Sequence, residues 1–261
     1  MNNQPRSNDR DKVAVVIGGT SGIGLATARE LITAGVRVVI AGRDAAKGTA
    51  AASALGEHAK YVRADVCNAP EVAAVIGAAV EGWGRLDLAV NAAALAEMRP
   101  AITGEITEEE WDRTIAVDLK GVWLAMKYEL AAMMSAGGAI VNVSSVNGLS
   151  ATPTAAAYCV AKHGIHGLSK TAALEYAAHG IRVNVVCPGA HRTPMLERVF
   201  ETLSPGAPAK AEAMYRARIP LRRLGEPIEC ARVITWLLSD AASYVTGAVI
   251  VSDGGIALGA A

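Results

Sequence analysis

The 261-residue chain holds only four cysteines, Cys67, Cys159, Cys187 and Cys230, and no two of them form a CxxC pair or a zinc-type cluster. That absence speaks against a metal site and against a disulfide framework, and free thiols suit a reducing compartment. An excess of either charge is missing as well: 25 Lys plus Arg face 25 Asp plus Glu. The balance removes the general reason to expect nucleic acid or an anionic membrane as partner. No uninterrupted apolar run is long enough to cross a bilayer. The opening stretch MNNQPRSNDRDK lacks the apolar centre of a signal peptide. Together these absences predict a soluble cytoplasmic chain, with 1–10 as a flexible leader and 11–261 as one domain.

What is present is material for a core, since 52% of the residues are hydrophobic. Short β-branched runs alternate with longer alanine-rich stretches. Strands are predicted over 12–18, 36–42, 59–65, 85–93, 139–145, 181–189 and 248–255. Helices are predicted over 22–35, 44–55, 69–82, 108–135, 154–178 and 226–238, with Thr107 as an N-cap ahead of three glutamates. Strand and helix repeated in this way imply right-handed βαβ crossovers. The fold class is therefore α/β, a doubly wound Rossmann-type domain whose parallel sheet is covered on both faces. The pattern becomes irregular over 190–224, just after a strand's carboxyl end, where a substrate lid belongs. Met195, Leu196, Val199, Phe200, Met214 and Tyr215 give that lid an apolar character.

Between the first strand and the first helix stands GGTSGIG. Gly18 suits the tight turn, Gly22 lets backbone approach a pyrophosphate, and Gly24 lets helix pack against strand. The helix N-terminus adds free N–H groups and the positive end of its dipole. The second strand ends at Gly42 and is followed by Arg43. An acidic residue at that end grips the ribose 2′-hydroxyl of NAD, whereas an arginine can pair with the 2′-phosphate of NADP. NADP(H) is favoured over NAD(H), with Asp44 the residue that could still take the acidic role.

In AAAYCVAKHG, Tyr158 and Lys162 are four positions apart and share one face of a helix. An adjacent ammonium favours the phenolate, so the phenol is expected to titrate below its ordinary value and to act as general acid/base. The strand before it carries Ser144 and Ser145, and a serine hydroxyl there can bond the same reacting oxygen.

With these pieces in view, the chain resembles the classical short-chain dehydrogenase/reductase family. The resemblance runs from Lys12 to Gly255 through GGTSGIG, Asp65–Val66, VNAAA, NVSS, Tyr158-x-x-x-Lys162, NVVCPGAHRTPM and YVTGAVIVSDGG. It implies a seven-stranded parallel sheet in the order 3-2-1-4-5-6-7 and, often, a homotetramer assembled through the two long helices. The family's spacing of thirteen between serine and tyrosine selects Ser145. The resemblance further implies Tyr158 as acid/base and Lys162 on the nicotinamide ribose. Gly18, Ser21, Ile23 and Gly24 would line the dinucleotide, with Asp65 and Val66 at the adenine and Asn91 against the cofactor. His191 (through its backbone) and Thr193 would meet the carboxamide. His191 departs from the family's usual aliphatic residue; its ring could touch substrate, but a solvated ring is the favoured expectation. Asp118 stands where the family has an active-site asparagine, and its charge could bind Lys162 or a proton. The activity implied is hydride transfer between NADP(H) and a secondary alcohol or ketone. Alternatives are a 3-oxoacyl carrier-protein reductase, drawing on Arg192, Arg198, Arg216, Arg218, Arg222 and Arg223 as a basic surface, and a non-catalytic NADP sensor.

Overall fold

The computed structural model describes residues 12–95 and 99–259; the leader expected over 1–10 lies outside them. Seven strands form one parallel sheet in the order β3-β2-β1-β4-β5-β6-β7. They are β1 (Val13–Ile17), β2 (Arg37–Gly42), β3 (Ala59–Arg63), β4 (Leu88–Asn91), β5 (Gly138–Val143), β6 (Ile181–Pro188) and β7 (Val249–Ser252). Helices connect them: α1 (Gly22–Thr33), α2 (Ala45–Leu55), α3 (Ala69–Trp83), α4 (Glu108–Ile115), α5 (Gly121–Met133) and α6 (Ala156–Tyr176). After β6 come α7 (Pro194–Leu203), α8 (Pro208–Arg218) and α9 (Pro227–Leu238). Among the described residues no helix is long and apolar enough to cross a membrane.

Side chains alternate across each strand, so the central strands must be apolar on both sides if both faces are covered. In β1, Val13, Val15 and Ile17 enter one core with α3, α5 and α6, through Val75, Met126 and Ile165 among others. Ala14 and Val16 enter the other with α1 and α9, through Leu31 and Ile234. All five β1 residues are consequently buried.

Two differences from the sequence reading have local causes. The helix expected over 108–135 begins as foreseen, with a capping box between Thr107 and Glu110. A five-residue π-helical turn, Ala116–Lys120, then separates α4 from α5. The supposedly irregular lid contains α7 and α8. They close on a small core of their own, where Phe200, Ala211, Ile219 and Leu224 are buried. The rings of Phe200 and Tyr215 meet edge-on at 5.2 Å.

Candidate active site

Strand register brings the sequence motifs to one edge. Ala41, Ile17, Asn91, Asn142, Val185 and Val249 form a single row across the sheet. β1 and β4 end at that row, β2, β5, β6 and β7 run on beyond it, and the connecting segments leave from this carboxyl edge. The glycine loop, Arg43, Ala92–Ala94, Ser144–Ser145 and Pro188–Gly189 therefore emerge on the same side, where open α/β sheets bind ligands.

The glycine loop is shaped by close contact. Gly18 has φ +81°, and a Cβ there would come within 2.5 Å of the Ala93 backbone nitrogen. A Cβ on Gly24 would overlap the Gly18 carbonyl. Gly22, with φ +53°, faces only Thr193, whose methyl lies 3.3 Å from where its Cβ would stand. Ser21 is exposed at the N-cap of α1 and makes no side-chain cap bond. The first-turn N–H groups of α1 are thus left available for an anion. Ile23 packs on the α1 side of the core.

At the end of β2, Arg43 is exposed. The Asp44 carboxylate caps α2, accepting from Lys47 N at 3.0 Å with Lys47 Nζ at 3.5 Å. That commitment weakens the acidic role left open for Asp44. Asp65 caps its own turn, accepting from Cys67 N at 2.9 Å, and Val66 is buried against Gly121.

The two serines separate cleanly. The Ser144 hydroxyl is buried and donates to the Lys162 carbonyl at 2.9 Å. Ser145 is half-buried, accepts from Asn147 N at 3.1 Å and neighbours the half-buried Tyr158 phenol, whose pKa it pulls down. One turn along α6, Lys162 Nζ lies 5.3 Å from the Tyr158 ring centroid. It is also 3.0 Å from an Asp118 carboxylate oxygen, and both of these side chains are buried. The second Asp118 oxygen accepts from Leu95 N at 3.1 Å. Asp118 sits on the π-helical turn, a distortion often found where a helix must aim a side chain into a functional site.

Residues 18–257 match the family model described as enoyl-(acyl carrier protein) reductase. The cis-4-hydroxycyclohexanecarboxylate dehydrogenase of Sinomonas cyclohexanicum is 44% identical, covering 94% of this chain and 96% of the relative. Cyclohexanol dehydrogenase from an Acinetobacter species is 41% identical, covering 94% of each. The chain belongs to the short-chain dehydrogenase/reductase family. A solved structure of a variant actinorhodin polyketide ketoreductase with NADPH is 33% identical and superposes with a TM-score of 0.89, over 95% of this chain and 98% of that one. The protein is thus an oxidoreductase that acts on CH–OH groups with a nicotinamide cofactor as acceptor.

Several expectations are corrected within this short-chain dehydrogenase/reductase site. The Tyr158 phenol titrates above its ordinary value, not below it. Burial is the main cause; Lys162 pulls the value down, while Asp118 pushes it up. For Lys162 itself burial acts downward, but Asp118 and Tyr158 outweigh it and the net shift is upward. The His191 ring is not solvated: it is buried and packs on Gly225, while residue 191 forms a parallel bridge to Gly225. Burial lowers its pKa. The Thr193 hydroxyl caps α7, accepting from Leu196 N at 3.3 Å. Within the lid, Phe200 and Tyr215 hold α7 to α8, and Met214 is exposed. A cleft of about 430 Å³ between these helices is lined by Arg192, Leu196, Phe200 and Glu212 among others, but by neither Ser145 nor Tyr158.

Asn91 is turned into a buried polar network that the sequence reading missed. Its amide donates to Glu129 at 3.0 Å and to Asn142 at 2.9 Å, and Asn142 donates to Ser169 at 2.8 Å. Burial pushes the Glu129 carboxyl up to about 8. Glu129 lies on the apolar stripe of α5 with Val122, Met126, Leu130 and Met133, a helical spacing visible in the sequence. Asn91 also borders a small void with Ile17, Val66 and Ala93.

Proposed function

We propose that the protein interconverts a cyclic secondary alcohol and its ketone with NADP(H), using Tyr158 as the acid/base. The observation that carries the reading is the Ser145–Tyr158–Lys162 arrangement at the carboxyl edge of the sheet, with a free helix N-terminus beside it. The cyclic substrate class is supported by the two relatives named for cyclohexane-ring alcohols.

The residues fit a dinucleotide. Gly18, Ser21, Ile23 and Gly24 would line it, Asp65 and Val66 would sit at the adenine, Asn91 at the end of β4 would pack against the cofactor, and the His191 backbone and Thr193 would meet the carboxamide. Arg43, exposed where Asp44 is committed to capping, would take a 2′-phosphate. When bound, the nicotinamide accepts or supplies the hydride.

In the reductive direction Tyr158 donates its phenolic proton to the substrate oxygen, and in the oxidative direction it takes the alcohol proton. A phenol titrating high holds its proton at neutral pH and is ready to act as the acid. Ser145 stabilises charge on the same oxygen. Lys162 would hold the ribose hydroxyls and supplies the positive field that favours phenolate, and Asp118 is paired with that lysine. The acyl-carrier alternative is less well supported, because Arg192 and Arg223 are neutralised by Glu212 and Glu229. A homotetramer through α4–α5 and α6 is supported by exposed Trp123, Val160 and Leu174. Light scattering in solution tests that assembly, and a purely monomeric species contradicts it.

The reading is tested with a panel of cyclohexanols, cyclohexanones and free acyl thioesters, followed by reduced-nicotinamide absorbance with both cofactors. Turnover of the cyclic compounds is expected. Turnover confined to the thioesters points to the acyl-carrier alternative.

A further inference from the structure

On the face of α6 that carries Tyr158 and Lys162, the next turn carries His166. Its Nε2 lies 3.0 Å from Ser144 Oγ and 3.3 Å from Cys187 Sγ. The direction of these bonds follows from a proton count. The Ser144 hydroxyl has one proton, and it is given to the Lys162 carbonyl. The tautomer protonated at Nε2 is the one that lets His166 donate to Ser144 while Ser144 keeps its bond to the Lys162 carbonyl. The Cys187 sulfur shares the same N–H as a weak acceptor. Burial, then His163 and Lys170, lower the pKa of the imidazole and so favour its neutral form.

This cluster supports the loop that bears Ser145. A Cβ on Gly148 would lie 2.6 Å from Ser144 Oγ and 2.8 Å from both His166 Nε2 and the Lys162 carbonyl. The turn Val146–Gly148 thus rests directly on the cluster, and Asn147 of that turn donates to Ser145 Oγ at 3.1 Å. Ser144 in turn ties the segment just after β5 to α6 at Lys162, the second residue of the Tyr–Lys pair.

We propose that His166 is a positioning residue: its Nε2–H holds Ser144, and through Ser144 and the turn on Gly148 it fixes Ser145 against Tyr158. The proposal rests on the functional reading above.

His166→Val is expected to lower kcat roughly ten- to a hundredfold, while the dissociation constant for NADP(H) changes less than about twofold. His166→Gln, which keeps a neutral N–H donor at similar reach, is expected to recover most of kcat. Ser144→Ala is expected to match His166→Val, with the double variant no worse than either single one. Unchanged kcat in His166→Val, or a Gln variant no better than Val, overturns the proposal. If His166→Val does not fold, Ser144→Ala and His166→Gln decide. Long-range proton–nitrogen NMR of the wild-type protein gives a readout independent of turnover, with His166→Gln assigning the signal. A neutral imidazole protonated at Nε2 is expected, and an unprotonated Nε2 overturns the proposal. Should the wild type turn over none of the cyclic compounds, the functional reading fails and the NMR result alone judges the His166 bond.

Discussion

Lys162 Nζ stands 3.0 Å from an Asp118 carboxylate oxygen, and neither side chain reaches solvent. The lysine's charge is thus compensated inside the protein before it can act on the phenol. Asp118→Asn removes the carboxylate that pushes the Tyr158 titration upward and leaves Lys162 to act alone. Activity is expected to survive, with the pH profile of alcohol oxidation moved toward lower pH. Profiles of kcat/KM against pH for both proteins check this; abolished activity would sink the assignment. Asp118→Leu, which strands a buried ammonium, is expected to cost about 3–5 kcal/mol of stability, read from denaturant unfolding.

Glu129 offers a test of stability against pH. Its folded carboxyl titrates near 8, above the ordinary value of 4.5. Between these values the unfolded chain releases the proton and the folded one keeps it, so stability is lost as pH rises, at about 1.4 kcal/mol per pH unit. Glu129→Gln removes this dependence. Its melting temperature relative to wild type should climb steadily from about pH 5 to pH 8. A constant difference over that range would show that Glu129 does not titrate there.

Arg43 should govern cofactor choice. The ratio of kcat/KM for NADPH over NADH is expected to fall at least tenfold in Arg43→Ala, about 1.4 kcal/mol of lost discrimination. An unchanged ratio would remove Arg43 from the 2′-phosphate site.

Gly24 is held to glycine by the Gly18 carbonyl beneath it. Gly24→Ala must push α1 away from the loop. An expected destabilisation of about 1–3 kcal/mol should come with weaker dinucleotide binding by titration calorimetry. Binding and melting at wild-type levels would mean that the contact yields freely.

The sheet was legible because the β-branched runs of β1, β2 and β6 leave no other reading, and Thr107 with Glu110 announced the start of α4. The π-helical turn was not, since i+5 bonding over a single turn is set by how the helix packs and has no residue signature of its own. The lid helices were hidden by Pro205, Gly206 and Pro208, which interrupt the pattern between α7 and α8. The Tyr158–Lys162 pair could be read from its spacing. Its electrostatics could not: burial and Asp118 arrive through tertiary packing, and together they reverse the direction expected from the lysine alone. His166 shares the spacing that revealed the pair, but its partners are brought to it by the sheet, Ser144 from just after β5 and Cys187 from β6.

The most direct measurement is turnover and cofactor binding in Tyr158→Phe. Loss of cyclic-alcohol oxidation by at least a thousandfold, with the NADP(H) dissociation constant unchanged within about threefold, is the expected result. Substantial turnover in a protein without that hydroxyl would contradict Tyr158 as the acid/base.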